Sequence, residues 1–154
     1  VGSEMCIRDR LKAAGCRRFC WLAGKPDTSI IPQLAAGMAR AGVTVEENAI
    51  RYSDYTEADG ERLAAELLQD GRFDALVATA PQLARGAARY VETHKLPVRI
   101  GCFDGQRGTR SKTDHFISAL TNDFEIGSVA ITRLLALIEG KTQHVQVRIP
   151  VDFA

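Results

Sequence analysis

The chain has 154 residues, 45% of them hydrophobic and 25% charged, with a formal net charge of +1. That is the composition of a soluble globular protein, and the near-zero charge excludes a whole-surface attraction to nucleic acid or anionic membrane. No apolar run reaches the roughly 20 residues of a membrane span, the richest stretch, residues 134–138, being a helix stripe. Of the four cysteines, Cys6 lies in an atypical opening segment; the odd remainder, with Cys20 and Cys102 in apolar strand patterns, favours reduced, buried thiols in a cytoplasmic protein over a disulfide framework. Cys16 and Cys20 are accompanied by no second cysteine pair or histidine pair in the sequence, so no metal site is assigned.

The first ten letters, VGSEMCIRDR, have no periodicity and no cap. Met5 to Arg10 resemble the in-frame translation of a transposase mosaic-end adapter used in sequencing libraries, so residues 1–10 are expected to be non-native, to pack against nothing that matters, and to replace the true N-terminus. Residues 11–14 before Gly15 read as the tail of a helix, and Arg17 to Gly24 as a strand centred on Phe19, Cys20, Trp21 and Leu22. The spacing predicts a helix from about Ser29 to Ala41, with Pro32 in its first turn and Leu34, Ala35 and Met38 on one face. A short strand, residues 49–52, follows. Thr56 is placed to cap a helix reaching Gln69, with Leu63, Ala64, Leu67 and Leu68 as its buried stripe.

Residues 74–105 form the unit around which the rest is arranged. Ala75 to Ala78 and Val98 to Phe103 are apolar runs of the kind found in strands covered on both faces. Between them, Pro81 suits a first helical turn, and Leu83, Ala84, Ala87, Ala88 and Val91 form one apolar stripe. Such a crossover is right-handed almost without exception, which makes the two strands parallel neighbours in an α/β sheet sandwiched by helices. Arg107 to Lys112 is a basic loop, and residues 116–120 a further strand. A helix from Asp123 to Glu139 has Gly127, Ala130, Ile131, Leu134 and Ile138 as its expected buried face, and Val145, Val147 and Ile149 alternate as in a half-exposed final strand.

In open sheets of this kind ligands bind beyond the carboxyl ends of the strands. That edge holds residues 25–27, 53–55, 79–81 and 104–106, among them a flat aromatic, Tyr55, and an acceptor-only carboxylate, Asp104. These are groups that a polyhydroxyl ligand uses, although Asp104 also reads as a turn cap and Tyr55 as a packed surface aromatic. No G-x-G-x-x-G follows a strand, Gly24-Lys25-Pro26 lacks the rest of a P-loop, and no G-x-S-x-G elbow is present. No catalytic residue, metal or cofactor is therefore assigned, and an enzyme is not expected.

From Leu11 onward the order of segments resembles the effector-binding core of the lactose-repressor family of transcription regulators. Residues 11–19 are similar to the family stretch ending in Gly-His-x-x-Ile, with Cys16 in place of the histidine. Ile100 to Asp104 resemble its Val-Val-Gly-Phe-Asp strand end, Leu120-Thr121 with Phe124 and Gly127 its return to the amino-terminal lobe, and residues 134–140 its final amino-lobe helix. The resemblance implies a type I periplasmic-binding-protein fold, incomplete here, with residues 11–118 as the carboxyl-terminal lobe, 119–142 as the return segment of the amino-terminal lobe and 143–154 as a terminal strand.

It also implies function. Asp104 aligns with the family's sugar-hydroxyl carboxylate, Tyr55 with its stacking aromatic, and Asn122 and Phe124 with hinge-side contacts. Asp27 and Ser29, within a Pro-Asp-Thr-Ser stretch similar to the fructose- and sucrose-repressor branch, complete the candidate effector site. Leu34 stands where the family usually has arginine, and Ala80-Pro81 where it has Asn-Asp. The implied partners are a sugar or sugar phosphate, a second copy in a homodimer of the parent protein, and operator DNA reached only through a missing amino-terminal domain. A periplasmic sugar-binding protein of a transporter is the alternative with the same fold.

Overall fold

The computed structural model describes all residues except 1–2, 27–31, 33–34, 37, 40–41, 44, 106–115, 142–146, 148, 151 and 154, and for 3–6, 104–105 and 152–153 it describes the backbone alone. The elements are α1 (Ser3–Ala13), β1 (Phe19–Ala23), β2 (Ile50–Tyr52), α2 (Glu57–Leu68), β3 (Ala75–Ala78), α3 (Pro81–Thr93), β4 (Arg99–Gly105), β5 (Phe116–Leu120), α4 (Asp123–Ile138) and β6 (Asp152–Phe153). They form one sheet in the order β2-β1-β3-β4-β5-β6, parallel except for β6, which pairs antiparallel with β5. The predicted β3-α3-β4 unit is present, its two strands parallel neighbours joined from Ala75↔Arg99 to Ala78↔Cys102.

Alternation along each strand sorts the side chains into two cores. On one face Cys20, Leu22, Leu76, Ala78, Ile100 and Cys102 pack with the stripes of α2 and α3, including Leu63, Leu67, Leu83 and Ala87. On the other, Phe19, Trp21, Ala75, Val77 and Phe103 pack with Ile7, Leu11 and Met38. The two outer helices, α2 and α3, cross closely because glycines meet backbone there: a Cβ on Gly86 would run into the Glu57 carbonyl, and one on Gly60 into that of Leu83.

Local chemistry explains where α2 and α3 begin. The Thr56 hydroxyl accepts a hydrogen bond from the Asp59 amide at 3.0 Å, satisfying one of the unpaired N–H groups of the first turn of α2. Thr56→Ala is expected to cost about 1 kcal/mol in a denaturant melt, the usual loss for a side-chain cap. Pro81 opens α3, where its missing N–H costs nothing. On the outer surface Glu57 accepts from Arg85 at 2.6 Å and Arg89 at 3.2 Å, and the Arg85 hydrogen bond holds its carboxyl below the usual carboxylate range.

Four expectations are corrected. The opening segment is not inert: α1 begins at Ser3, and Ile7 and Leu11 are 1% and 0% exposed. These two aliphatics, one helical turn apart, lie over the gap left by Gly101, where an added Cβ would stand 2.6 Å from Ile7 Cγ2. Second, the described residues 32, 35, 36, 38 and 39 are helical, with Met38 buried as expected, whereas Ala35, expected on the same face, is exposed. Third, the face of α4 read as buried is open in this chain: no residue of the helix is buried. Fourth, Val147 and Ile149 are not in a strand; β6 comes later, set by the pairs Ala119↔Phe153 and Leu120↔Asp152, while residues 142–146 and 148 lie outside the described set.

Candidate functional site

Because β1 to β5 are parallel, their carboxyl ends share one edge, and the segments after them meet there. After β1 come Gly24, Lys25 and Pro26; after β2 the turn Ser53-Asp54-Tyr55; after β3 Thr79 and Ala80; and after β5 Thr121 and Asn122, leading into α4. Asp104 and Gly105 are the last residues of β4, on the same edge, and the ladder between β4 and β5 shifts register between Cys102 and Gly105.

The turn after β2 is fastened to the end of β1. The Ser53 amide donates to the Ala23 carbonyl at 3.0 Å, Lys25 Nζ lies 3.4 Å from Asp54 Oδ1, and the Tyr55 amide donates to Ser53 Oγ at 3.2 Å. Tyr55 has a φ of 66°, a left-handed conformation uncommon for a residue with a side chain, and is 36% exposed. Its phenol lies against the α-carbon of Gly24.

On the far side of the edge, Asn122 caps α4. Its Oδ1 accepts from the Glu125 amide at 3.2 Å and its Nδ2 donates to Glu125 Oε2 at 3.0 Å, so in this structure its amide is engaged within the chain. Phe124, in the first turn of α4, is 87% exposed. The backbone of Asp104 lies on the same edge as Tyr55, whereas Asp27 and Ser29 lie outside the described residues. Sequence reasoning missed Gly24 and the Lys25–Asp54 pair; the one available signal was a glycine directly after a strand.

The remaining chemistry is quiet. Cys16, Cys20 and Cys102 are buried and outside any disulfide, and burial pushes the Cys20 and Cys16 thiols well above and above their usual value, respectively. Among the described residues there is no cluster of three or more potential metal ligands, and no helix is long and apolar enough to cross a membrane.

A parallel sheet covered by helices on both faces is the fold this chain shares with solved LacI-family regulators. The chain superposes on a sugar-binding LacI-family regulator of Escherichia coli complexed with phosphate (TM-score 0.80, 22% identity, 99% of this chain and 58% of that one). It superposes equally on the Lac repressor bound to ONPG (TM-score 0.81, 20% identity, 99% and 48%) and on the CelR–cellobiose complex (TM-score 0.78, 21% identity, 99% and 50%). In sequence it is 24% identical over 139 residues to the HTH-type transcriptional regulator MalR of Streptococcus pneumoniae, a match covering 86% of this chain. The chain spans 42% of the length of that relative. No family model matches it.

Proposed function

We propose that the chain is the effector-sensing part of a transcription regulator of the lactose-repressor family, and that its effector is a sugar or sugar phosphate held at the carboxyl edge of the sheet. The observation that carries this reading is that a sequence likeness and a fold likeness point to the same family. The sequence match to MalR and the fold match to LacI-family effector domains each run over most of the chain. Solved neighbours include complexes with cellobiose and with phosphate, which supports binding of a small-molecule effector. The proteins in both comparisons are transcription regulators, which fits a binding role.

In this reading Asp104 accepts hydroxyl hydrogen bonds, Tyr55 covers an apolar face of the ring, and Asn122, Phe124, Asp27 and Ser29 complete the walls. Closure of two lobes around the ligand biases a two-state equilibrium in a dimer and thereby changes operator affinity. The parent protein carries its DNA-binding domain and the rest of the amino lobe upstream of these residues and works in the cytoplasm. Isothermal titration of the parent protein with sugars and sugar phosphates tests the binding step, with saturable heat from at least one member of the panel as the expected result and none from any as the contrary one.

The amino lobe also accounts for α4. Phe124, Ile131, Leu134, Leu135 and Ile138 are exposed on a helix that buries nothing, a large apolar area for a lone domain. The 154-residue chain by itself is expected to bind a hydrophobic dye and to self-associate in sedimentation, and Leu134→Glu with Ile138→Glu to reduce both. Equal dye binding by the charged variant would place the sticky surface elsewhere.

A further inference from the structure

We infer that Gly24 is the positioning residue for Tyr55: the absence of a side chain at the end of β1 sets where the aromatic platform lies. Glycines commonly serve a left-handed backbone, as Gly15, Gly42, Gly71 and Gly140 do with φ between 67° and 93°. Gly24 has no such φ, so its conformation is open to any residue. What it supplies is space. A Cβ at position 24 would overlap the Tyr55 phenol oxygen and Cζ and stand 2.6 Å from Cε2, whereas no other atom is among its three nearest neighbours.

The rest of the turn holds the ring on that space. The Ser53–Ala23 backbone bond and the Lys25–Asp54 ion pair fasten the turn to β1 on either side of Gly24. The left-handed backbone of Tyr55 then lays the phenol down on the glycine, a costly conformation that persists only where its surroundings enforce it. One part of the ring is thus covered by Gly24 and another part is open to solvent. The size of residue 24 therefore tunes the position of Tyr55, and with it what fits against the ring, an extension that rests on the reading of Tyr55 as an effector platform.

Because the overlapping atoms are the far end of a movable side chain, Gly24→Ala displaces the ring and leaves the strand intact. The test uses the full 154-residue chain labelled with 3-fluorotyrosine, the Tyr55 resonance being assigned by its loss in Tyr55→Phe. In Gly24→Ala the Tyr55 resonance is expected to move while that of Tyr90, on α3, stays in place; an unmoved Tyr55 resonance overturns the inference. Melting midpoints provide a second arm through a double-mutant cycle. Gly24→Ala is expected to lower the midpoint in the parent sequence and to have no effect in a Tyr55→Ala background, and an equal loss in both backgrounds overturns it. Neither arm uses an effector, so failure here is separate from failure of the effector reading, which the titrations decide.

Discussion

Replacing Asp104 by alanine in the parent protein is expected to weaken effector binding about tenfold to a hundredfold. A carboxylate only accepts hydrogen bonds, and charge-assisted bonds of this kind contribute roughly 1.5–3 kcal/mol each; at 1.4 kcal/mol per decade that is the stated range. Asp104 stands near the end of β4, on the edge that also carries Tyr55. Tyr55→Ala is expected to cost less, since it removes apolar cover rather than charge-assisted bonds, and Tyr55→Phe very little, because stacking does not use the hydroxyl. Calorimetry on each variant, with the melting curve as a check on folding, measures the differences; unchanged affinity in Asp104→Ala reduces that residue to a turn cap.

Ile7→Ala is expected to destabilise the chain by about 2–4 kcal/mol, the usual cost of emptying a fully buried aliphatic site. Ile7 is 1% exposed and packs with Leu11 over Gly101, among the core residues Phe19, Trp21 and Val77. Its position makes the effect informative, since it lies within the ten letters that resemble adapter sequence. Urea denaturation compares the variant with the parent chain; a loss below about 0.5 kcal/mol, the range of ordinary surface substitutions, would show that this segment does not hold the core.

Elements with several agreeing local signals were legible in the sequence. The β3-α3-β4 unit combines two apolar runs, a proline at a helix start and a five-residue stripe, and α2 combines the Thr56 cap with Leu63, Ala64, Leu67 and Leu68; both were found as expected. Of the opening helix only the tail before Gly15 was legible; its start was not, because Ile7 and Leu11 are a single pair of aliphatics among charged residues, too few to show a period. Their burial is decided by the open face at Gly101, ninety residues away in the chain. The final strand misled for the opposite reason: Val147 and Ile149 alternate locally, but pairing with β5 falls on Asp152 and Phe153.

The candidate edge was legible only in outline. Parallel strands place their carboxyl ends together, so the edge holding Tyr55 and Asp104 follows from topology. The left-handed backbone of Tyr55 and the space at Gly24 do not follow from it, because a ring lying on a glycine thirty-one positions earlier leaves no local signature. Nor does the sequence announce that the Asn122 amide is taken up by Glu125, although an asparagine three residues before a glutamate at a helix start is the pattern of a capping box.

The most direct measurement is the affinity of the parent protein for its operator DNA, read by fluorescence anisotropy at fixed salt while sugars and sugar phosphates are titrated in. One of them is expected to change operator affinity by an amount set by its preference between the two lobe arrangements, and Asp104→Ala to shift that response to higher effector concentration. Operator affinity that ignores every member of the panel, in a protein that binds the DNA and melts cooperatively, would contradict that expectation.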